Sequence, residues 1–241
     1  MAKRDKRGQN KAKVGKQTGI EKYLKFPSGS FDHIPHYARD VAIRAIKKVM
    51  RRERSRLFRQ GLYYIVLADL CRSTEASAVL GVEANKQRVE TFILSCIEAL
   101  GWSSARNYFL PVREIGDAVL ILFSSFEDAY DWWGDANAAI HSRNALWCSS
   151  LKPKLRKHFS IEFKTVVHLG EVAYSDQTIP MAQAVNEVFK FEKKFGAGEF
   201  GLTEPSLRSA SPLLPGIGLR PQYIGKATAP GSTPTKLYRL I

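Results

Sequence analysis

Apolar residues recur along this chain at two spacings, and the change from one to the other separates predicted strands from predicted helices. Short continuous runs, such as YYIVLA at 63–68 and AVLILF at 118–123, are typical of buried strands. Segments in which apolar residues return every three or four positions predict helices. The predicted elements are a strand near 62–69, a helix near 83–100, a strand pair near 107–123, a helix near 126–147, a strand near 160–168, a helix near 180–195, a short strand near 198–203, a small helix after Thr203, and terminal strands near 221–225 and 235–240.

This order of elements predicts an α+β fold. The order β-α-β-β-α-β matches the ferredoxin-like arrangement of two split βαβ units, in which an antiparallel-rich sheet carries helices on one face. The chain has 241 residues, of which 44% are hydrophobic and 11% aromatic, enough for one sizeable core with extensions. We therefore expect a single sheet domain over residues 61–241.

Basic residues are concentrated in the first quarter of the chain. Residues 1–60 contain 18 Lys and Arg against 5 Asp and Glu, whereas residues 61–241 contain 19 against 18. Residues 1–25 have almost no large apolar side chains and are predicted to be a disordered basic tail. Residues 26–60 predict a basic amphipathic helical extension, because apolar positions recur at near-helical spacing among Arg and Lys.

The charge of this extension could attract nucleic acid, an acidic membrane surface or a triphosphate. A solvated helix face explains most of these residues, so no stable nucleic-acid or membrane partner is expected.

The three cysteines, Cys71, Cys96 and Cys148, have no ligand-pair spacing and predict reduced thiols. No apolar run approaches the ~20 residues that span a bilayer, and the charged N-terminus lacks a signal core. We expect a cytoplasmic protein.

Two acidic residues stand at the ends of apolar runs. Asp69 closes a predicted central strand, and Asp117 follows Gly116 at the predicted tip of a hairpin. If the two strands are neighbours in one sheet, both carboxylates converge on one place. Hard divalent ions prefer oxygen ligands and keep open positions for phosphate oxygens. The pattern therefore predicts a metal site that handles a nucleotide, although either Asp alone would more simply be a solvated strand end.

A third segment places polar residues on one face of a predicted helix. Asn186 and Lys190 are four positions apart, with Gln183 one turn earlier, while Val185 and Val188 lie toward the apolar side. An amide and a cation aligned in this way can hold a sugar and a charged phosphate. An ordinary amphipathic helix with a solvated Lys has the same pattern.

In order along the chain, these segments resemble the class III nucleotide cyclases, the adenylate and guanylate cyclase superfamily. ADLCRST at 68–74 is similar to the family's first metal stretch, and IGDAVLILF at 115–123 to its Gly-Asp hairpin. HLGEV at 168–172 is similar to its His-x-Gly-Glu-Val strand, and AVNEVFK at 184–190 to its Val-Asn-x-x-x-Arg helix. The resemblance spans roughly residues 62–238 and implies a cyclase catalytic domain with a ferredoxin-like fold.

The resemblance also implies roles for individual residues. Asp69, Asp117 and the backbone carbonyl of Leu70 would bind two divalent ions, Mn²⁺ or Mg²⁺. Asn186 would position the ribose. Lys190 stands where most members have a transition-state Arg, which keeps the charge but loses the bidentate fork. Other implied substrate contacts are Thr74 in the first motif and Lys226, which resembles the late Lys that binds the terminal phosphates. In this family two subunits contribute to each site, so a homodimer with composite sites is implied.

Two further positions concern the nucleobase. Arg113 replaces the family's purine-reading Lys or Glu, and Ile179 replaces its partner Asp or Thr. Arg supplies only donors, which suits acceptor edges of uracil, cytosine or guanine. The lost purine pair and the basic extension resemble the bacterial pyrimidine cyclases of the Pycsar antiphage defence system, which make cyclic UMP or cyclic CMP for a separate effector protein. Tyr64, with Tyr63, is a candidate to fill the space beside a smaller base.

The favoured interpretation is a uridylate cyclase, and three alternatives stay open. A cytidylate cyclase, or an adenylate or guanylate cyclase with an atypical base reader, keeps the same metal chemistry. A nucleic-acid-binding ferredoxin-like module would also fit the basic first 60 residues. Against that module, no RNP1-type aromatic pair is present and the sheet domain is near neutral.

Overall fold

The computed structural model describes residues 61–102, 109–115, 117–149, 153–172 and 183–241 of the chain. The predicted tail at 1–25, the predicted basic helix at 26–60 and Ile179 lie outside the described residues. Seven strands form one sheet: β1 Gly61–Leu70, β2 Phe109–Ile115, β3 Ala118–Phe123, β4 Phe163–Val172, β5 Phe200–Thr203, β6 Pro221–Ala227 and β7 Thr235–Leu240. The helices are α1 Ser73–Leu80, α2 Val82–Trp102, α3 Phe126–Ser149, α4 Pro153–Phe159, α5 Gln183–Phe191 and α6 Glu204–Ala210, with 3-10 turns at Glu192–Lys194 and Leu214–Ile217.

The strand order is β2-β3-β1-β4-β5-β7-β6. β1 pairs antiparallel with β3 on one side and with β4 on the other, and β2 and β3 form a hairpin. The first four strands therefore have the order and directions of two interleaved split βαβ units, as predicted. β4 and β5 pair in parallel, and β7 and β6 extend the sheet by antiparallel pairing.

The central strand β1 is buried from Tyr64 to Ala68 on both of its faces. Its even-numbered residues pack with α2 and α3, and the odd-numbered Ile65 and Leu67 pack with α5. Successive side chains of a strand point to opposite faces, so this continuous apolar run needs cover on both sides. The prediction of helices on only one face was wrong for that reason.

Helix α5 has a strongly amphipathic sequence and lies against β1 and β4. Ala184, Val185, Val188 and Phe191 are its buried residues. Its approach to β4 is very close, because a Cβ built on Gly170 would lie 2.4 Å from the Cβ of Ala184. A glycine is therefore required at this point of the strand.

Two short helices were not predicted from the sequence. α1 has 8 residues and α4 has 7, and neither has a clear apolar stripe. The small helix after Thr203 was predicted, and it begins at Glu204. Thr203 precedes it without a side-chain cap, because its hydroxyl lies instead beside Ser206 and His168.

Candidate functional site

The first part of the site lies where β1 ends beside the β2–β3 turn. Asp69 pairs in register with Ala118, and the Leu70 N–H donates to the Asp117 carbonyl at 3.1 Å. The turn residue Asp117 therefore lies directly beside the end of β1. This geometry brings the two carboxylates together because their strands are neighbours, which is the condition that the sequence pattern left open.

A lysine and a third carboxylate adjoin Asp69. Lys164 on β4 pairs in register with Asp69, and its Nζ lies 3.4 Å from Asp69 Oδ2. The same ammonium forms an ion pair with Glu192, the residue that follows α5. Burial, then the hydrogen bond and charge of Glu192, then the charge of Asp117, raise the pKa of Asp69 to about 7, while Lys164 opposes the shift.

A buried arginine holds the turn that follows β1. Arg88 of α2 is 1% exposed, and it donates to the Cys71 carbonyl at 2.6 Å and to the Ser160 carbonyl at 3.1 Å. Arg72 has a left-handed backbone, with φ 60°, and its side chain pairs with Glu162 at 3.1 Å. Arg88 therefore holds the residue directly after Leu70, whose own carbonyl accepts from the Ser73 hydroxyl at 3.5 Å.

A cavity of about 610 Å³ opens at this end of the sheet. It is lined by the consecutive residues from Asp69 to Glu75, together with Asp117, Lys164 and residues 195–197. Thr74 therefore faces the same space as the two predicted metal ligands.

The oxygen donors at this site fit a divalent ion whose remaining ligands come from outside the protein. Within the described residues, no cluster of three or more His, Cys, Asp or Glu side chains could hold a metal ion unaided. Asp69, Asp117 and the Leu70 carbonyl would supply oxygen ligands, and water or phosphate oxygens would complete the shell. Mg²⁺ and Mn²⁺ sites in nucleotide enzymes commonly have this composition. Besides burial, the charges of Glu192 and Asp117 raise the pKa of Asp69, so carboxylates are grouped at this site.

The second group of predicted residues lies elsewhere. Asn186 and Lys190 are exposed on the outer face of α5, away from the residues that pack on the sheet, and neither lines the cavity. Neither side chain makes a hydrogen bond or ion pair with another described residue. Gln183, one turn earlier, donates to Ser232 Oγ at 2.8 Å and so ties α5 to the β6–β7 loop.

Lys226 is also far from the carboxylates. It is exposed on β6, which is four positions from β1 in the sheet. At ~4.8 Å between neighbouring strands, this places the two strands about 19 Å apart. One chain therefore does not bring Lys226 to its own Asp69.

The buried side of α5 is held by a chain of polar contacts. His168 Nε2 lies 3.0 Å from Glu187 Oε2, and His168 Nδ1 lies 2.9 Å from the Thr203 hydroxyl. Ser232 donates to the other oxygen of Glu187, and Ser206 adjoins Thr203 at 3.1 Å. Burial lowers the pKa of His168, against the opposing charge and hydrogen bond of Glu187. Glu187 is the neighbour of Asn186, so this chain of contacts fixes the helix turn that presents Asn186.

Tyr64 and Arg113, two of the predicted base contacts, lie on different strands. Tyr64 belongs to the core and not to the site: it is 7% exposed, its hydroxyl donates to Ser209 at 2.6 Å, and it faces away from the side that carries Asp69. The error arose because a continuous apolar run does not reveal which face each residue takes. Arg113 lies on β2 opposite Leu120, next to a register shift between Pro111 and Arg113.

Sequence reasoning missed three residues that the structure places at or behind the carboxylates: Lys164, Glu192 and Arg88. Lys164 follows a buried residue in a predicted strand. From the sequence pattern alone, a lysine at such a position is interpreted as an ordinary exposed strand residue. Glu192 and Arg88 are brought to the site by the packing of α5 and α2. Only the antiparallel register of β1 with β4 would have pointed to Lys164.

No protein-family model matches this sequence, and no curated protein sequence is significantly similar to it. Solved structures do match its fold. An adenylate cyclase from Trypanosoma brucei, described in its monomeric state, gives a TM-score of 0.55 at 17% identity and covers 75% of this chain and 89% of that chain. The adenylyl cyclase CyaB from P. aeruginosa gives 0.56 at 16% identity, covering 77% and 96%.

The guanylate cyclase domain of RhGC from Catenaria anguillulae, solved in complex with GTP, gives a TM-score of 0.54 at 15% identity and covers 75% of this chain and 96% of that domain. At these identities the likeness shows the fold. The chain has the α+β, ferredoxin-like fold of nucleotide cyclase catalytic domains, and the predicted fold class is confirmed. No helix among the described residues combines the length and apolarity needed to cross a membrane.

Proposed function

We propose that this chain is a nucleotide cyclase that converts UTP to 3′,5′-cyclic UMP and pyrophosphate. The observation that carries the proposal is the pairing of β1 with β3, which sets Asp69 beside Asp117 at one cavity within a cyclase fold. The four motifs that resemble class III cyclases fall on the corresponding elements of this structure: the end of β1, the β2–β3 turn, β4 and α5.

In the proposed reaction, the 3′-oxygen of the ribose forms a bond to the α-phosphorus. The bond from that phosphorus to the bridging oxygen breaks, pyrophosphate leaves, and the 3′-hydroxyl proton passes to solvent. Two divalent ions, when bound, supply charge neutralisation for the triphosphate and a lower pKa for the 3′-hydroxyl. Asp69, Asp117 and the Leu70 carbonyl would hold them, while Arg88 keeps the Leu70–Arg72 turn in place.

We further propose a homodimer with two composite sites. Asn186, Lys190 and Lys226 are all exposed, and none lines the cavity of its own chain. In a symmetric dimer, the outer face of one α5 can face the cavity of the other chain. Asn186 would then position the ribose, and Lys190 would stabilise negative charge on the phosphorus in the transition state.

The choice of UTP rests on the resemblance to pyrimidine cyclases and on Arg113 and Ile179, which break the purine-reading pair. CTP is the first alternative, followed by ATP or GTP read in an unusual way. On the same resemblance, the product would be a second messenger of antiphage defence that acts in the cytoplasm on a separate effector protein.

The direct test is to incubate the purified protein with Mn²⁺ and each of ATP, GTP, CTP and UTP, and to identify the products by chromatography and mass. Cyclic UMP is the expected product. Cyclic CMP or a cyclic purine would correct the base and keep the cyclase. If no nucleotide gave a product, even with the Asp69 and Asp117 site loaded with Mn²⁺, the cyclase proposal would fail.

The composite site has its own test by complementation. Asp69→Asn and Asn186→Ala proteins are each expected to be inactive as homodimers. Mixing them 1:1 with subunit exchange should restore about a quarter of wild-type activity, because half of the dimers are mixed and each mixed dimer has one intact site of two. A mixture as inactive as its components would rule out sites shared between subunits.

A further inference from the structure

The ammonium of Lys164 bridges two carboxylates at the edge of the cavity. Its Nζ is 3.4 Å from Asp69 Oδ2 and forms an ion pair with Glu192 Oε1. The three side chains are 19%, 22% and 11% exposed respectively, so water screens this group only in part. Lys164 reaches Asp69 because the two residues are direct register partners on β4 and β1.

Two other charged side chains that line the cavity are paired elsewhere. Arg72 contacts Glu162 at 3.1 Å, and Glu75 contacts His158 at 3.4 Å. Of the cations among the described residues, Lys164 is the one that forms an ion pair with Asp69. Its carboxylate partners are Asp69 and Glu192, and the charge of Asp117 also acts on Asp69.

We propose that Lys164 is a built-in counter-cation of the metal site, which holds Asp69 while no divalent ion is bound and is retained by Glu192 when the ion takes its place. This inference rests on the proposed function, since it assigns Asp69 to the metal. It makes Lys164 and Glu192 positioning residues that set how readily the site accepts an ion.

The charges of the two residues give opposite expectations. Without the ammonium, Asp69 has no internal competitor, so a divalent ion should bind more tightly. Without the charge of Glu192, Lys164 has Asp69 as its remaining carboxylate partner and should compete more strongly. A residue that served only to hold the fold together would weaken metal binding, or leave it unchanged, in both variants.

The experiment measures Mn²⁺ binding to the full chain without nucleotide, using electron paramagnetic resonance of free Mn²⁺. Lys164→Met is expected to lower the Kd about tenfold, and Glu192→Gln to raise it several-fold. In the double variant the effect of Glu192→Gln should largely vanish, because it acts through Lys164. Lys164→Arg retains the charge and should stay near wild type.

Lys193→Met is the matched control. It removes a cation from an exposed neighbour of Glu192 and should leave the Kd unchanged. The inference is overturned if Lys164→Met binds Mn²⁺ no more tightly than wild type, or if Lys193→Met gives the same gain. Lys164→Gln, with melting temperatures for all variants, separates these outcomes from a folding defect.

Asp69→Asn distinguishes the two proposals. If Asp69→Asn abolishes Mn²⁺ binding while Lys164→Met changes nothing, only the counter-cation fails. If Asp69→Asn leaves Mn²⁺ binding intact, the metal site itself lies elsewhere and the proposed function fails with it.

Discussion

The cavity end of β1 and the outer face of α5 carry the two groups of predicted site residues, and these groups differ in how their polar side chains are paired. At the cavity, Asp69 contacts Lys164, Lys164 contacts Glu192, and the following turn is bound by Arg88. On the outer face of α5, Asn186 and Lys190 extend into solvent. In the first region the polar side chains are paired with one another, whereas in the second Asn186 and Lys190 make no hydrogen bond or ion pair with another described residue.

The inner face of the same helix sharpens this contrast. One residue beyond Asn186, Glu187 is fixed by His168 and Ser232, and the apolar residues of α5 are buried against the sheet. A helix anchored this firmly presents its outer face in one orientation. The two regions therefore differ in the way that the proposed composite sites require: the outer face of α5 is held in one orientation, and the cavity lies apart from it.

The largest effect on turnover should come from removing the carboxylates at the cavity. Asp69→Asn and Asp117→Asn are each expected to lower turnover by about 10³-fold or more, because each removes a charged ligand from the ions that neutralise the triphosphate. Turnover is measured with Mn²⁺ and UTP, and circular dichroism and size exclusion should show unchanged fold and assembly. A variant that kept substantial turnover would end the argument for the metal site.

The next largest effect should come from removing the charge of Lys190 on the outer face of α5. Lys190→Ala should lower kcat by roughly 10²-fold with a smaller change in KM, because the charge acts on the transition state. Lys190→Arg should equal or exceed wild type, because the guanidinium adds a bidentate contact. Lys194→Ala, at an exposed position just past the helix, should change neither parameter. Equal losses in both alanine variants would point to general electrostatics and not to a placed residue.

A smaller effect should come from loosening the inner face of α5. Glu187→Gln is expected to cost about 1–3 kcal/mol in unfolding free energy, because the contact with His168 becomes a weaker hydrogen bond in a buried setting. Denaturant unfolding measures it. Glu171→Gln, an exposed change on β4, should stay within ~0.5 kcal/mol. If the two variants unfolded alike, the buried chain of contacts would not be what fixes the helix.

The smallest expected effect is a pH dependence of the free energy of unfolding that comes from Asp69 at the cavity. The pKa of Asp69 is raised in the fold from 3.8 to about 7, so folding favours the protonated carboxyl. This contribution to stability is full below about pH 4 and is lost as the pH rises through 7. We expect less than about 2 kcal/mol, since solvent screens the carboxyl in part. In metal-free buffer, Asp69→Asn should remove this part of the pH dependence of unfolding, and an unchanged profile would contradict the assignment.

Features that depend on neighbouring residues in the chain could be predicted from the sequence. The long helices, the central strand and the Gly-Asp hairpin all follow from local periodicity and turn chemistry, and they led to Asp69 and Asp117. Tyr64 was misplaced because every residue from Tyr64 to Ala68 is buried, so no polar position marks which face is which. Lys164 was missed because its contact depends on the register between two strands that are about 95 residues apart.

The missing Cβ of Gly170 also has a consequence for engineering. At this point α5 rests against the backbone of β4, and Ala184 fills the space that a side chain at position 170 would need. The glycine therefore allows the shortest distance between the helix and the strand. Any larger residue would shift the whole helix, and Asn186 and Lys190 would move with it as one rigid unit. A mutational library should therefore keep positions 170 and 184 small, so that Asn186 and Lys190 stay where the fold presents them.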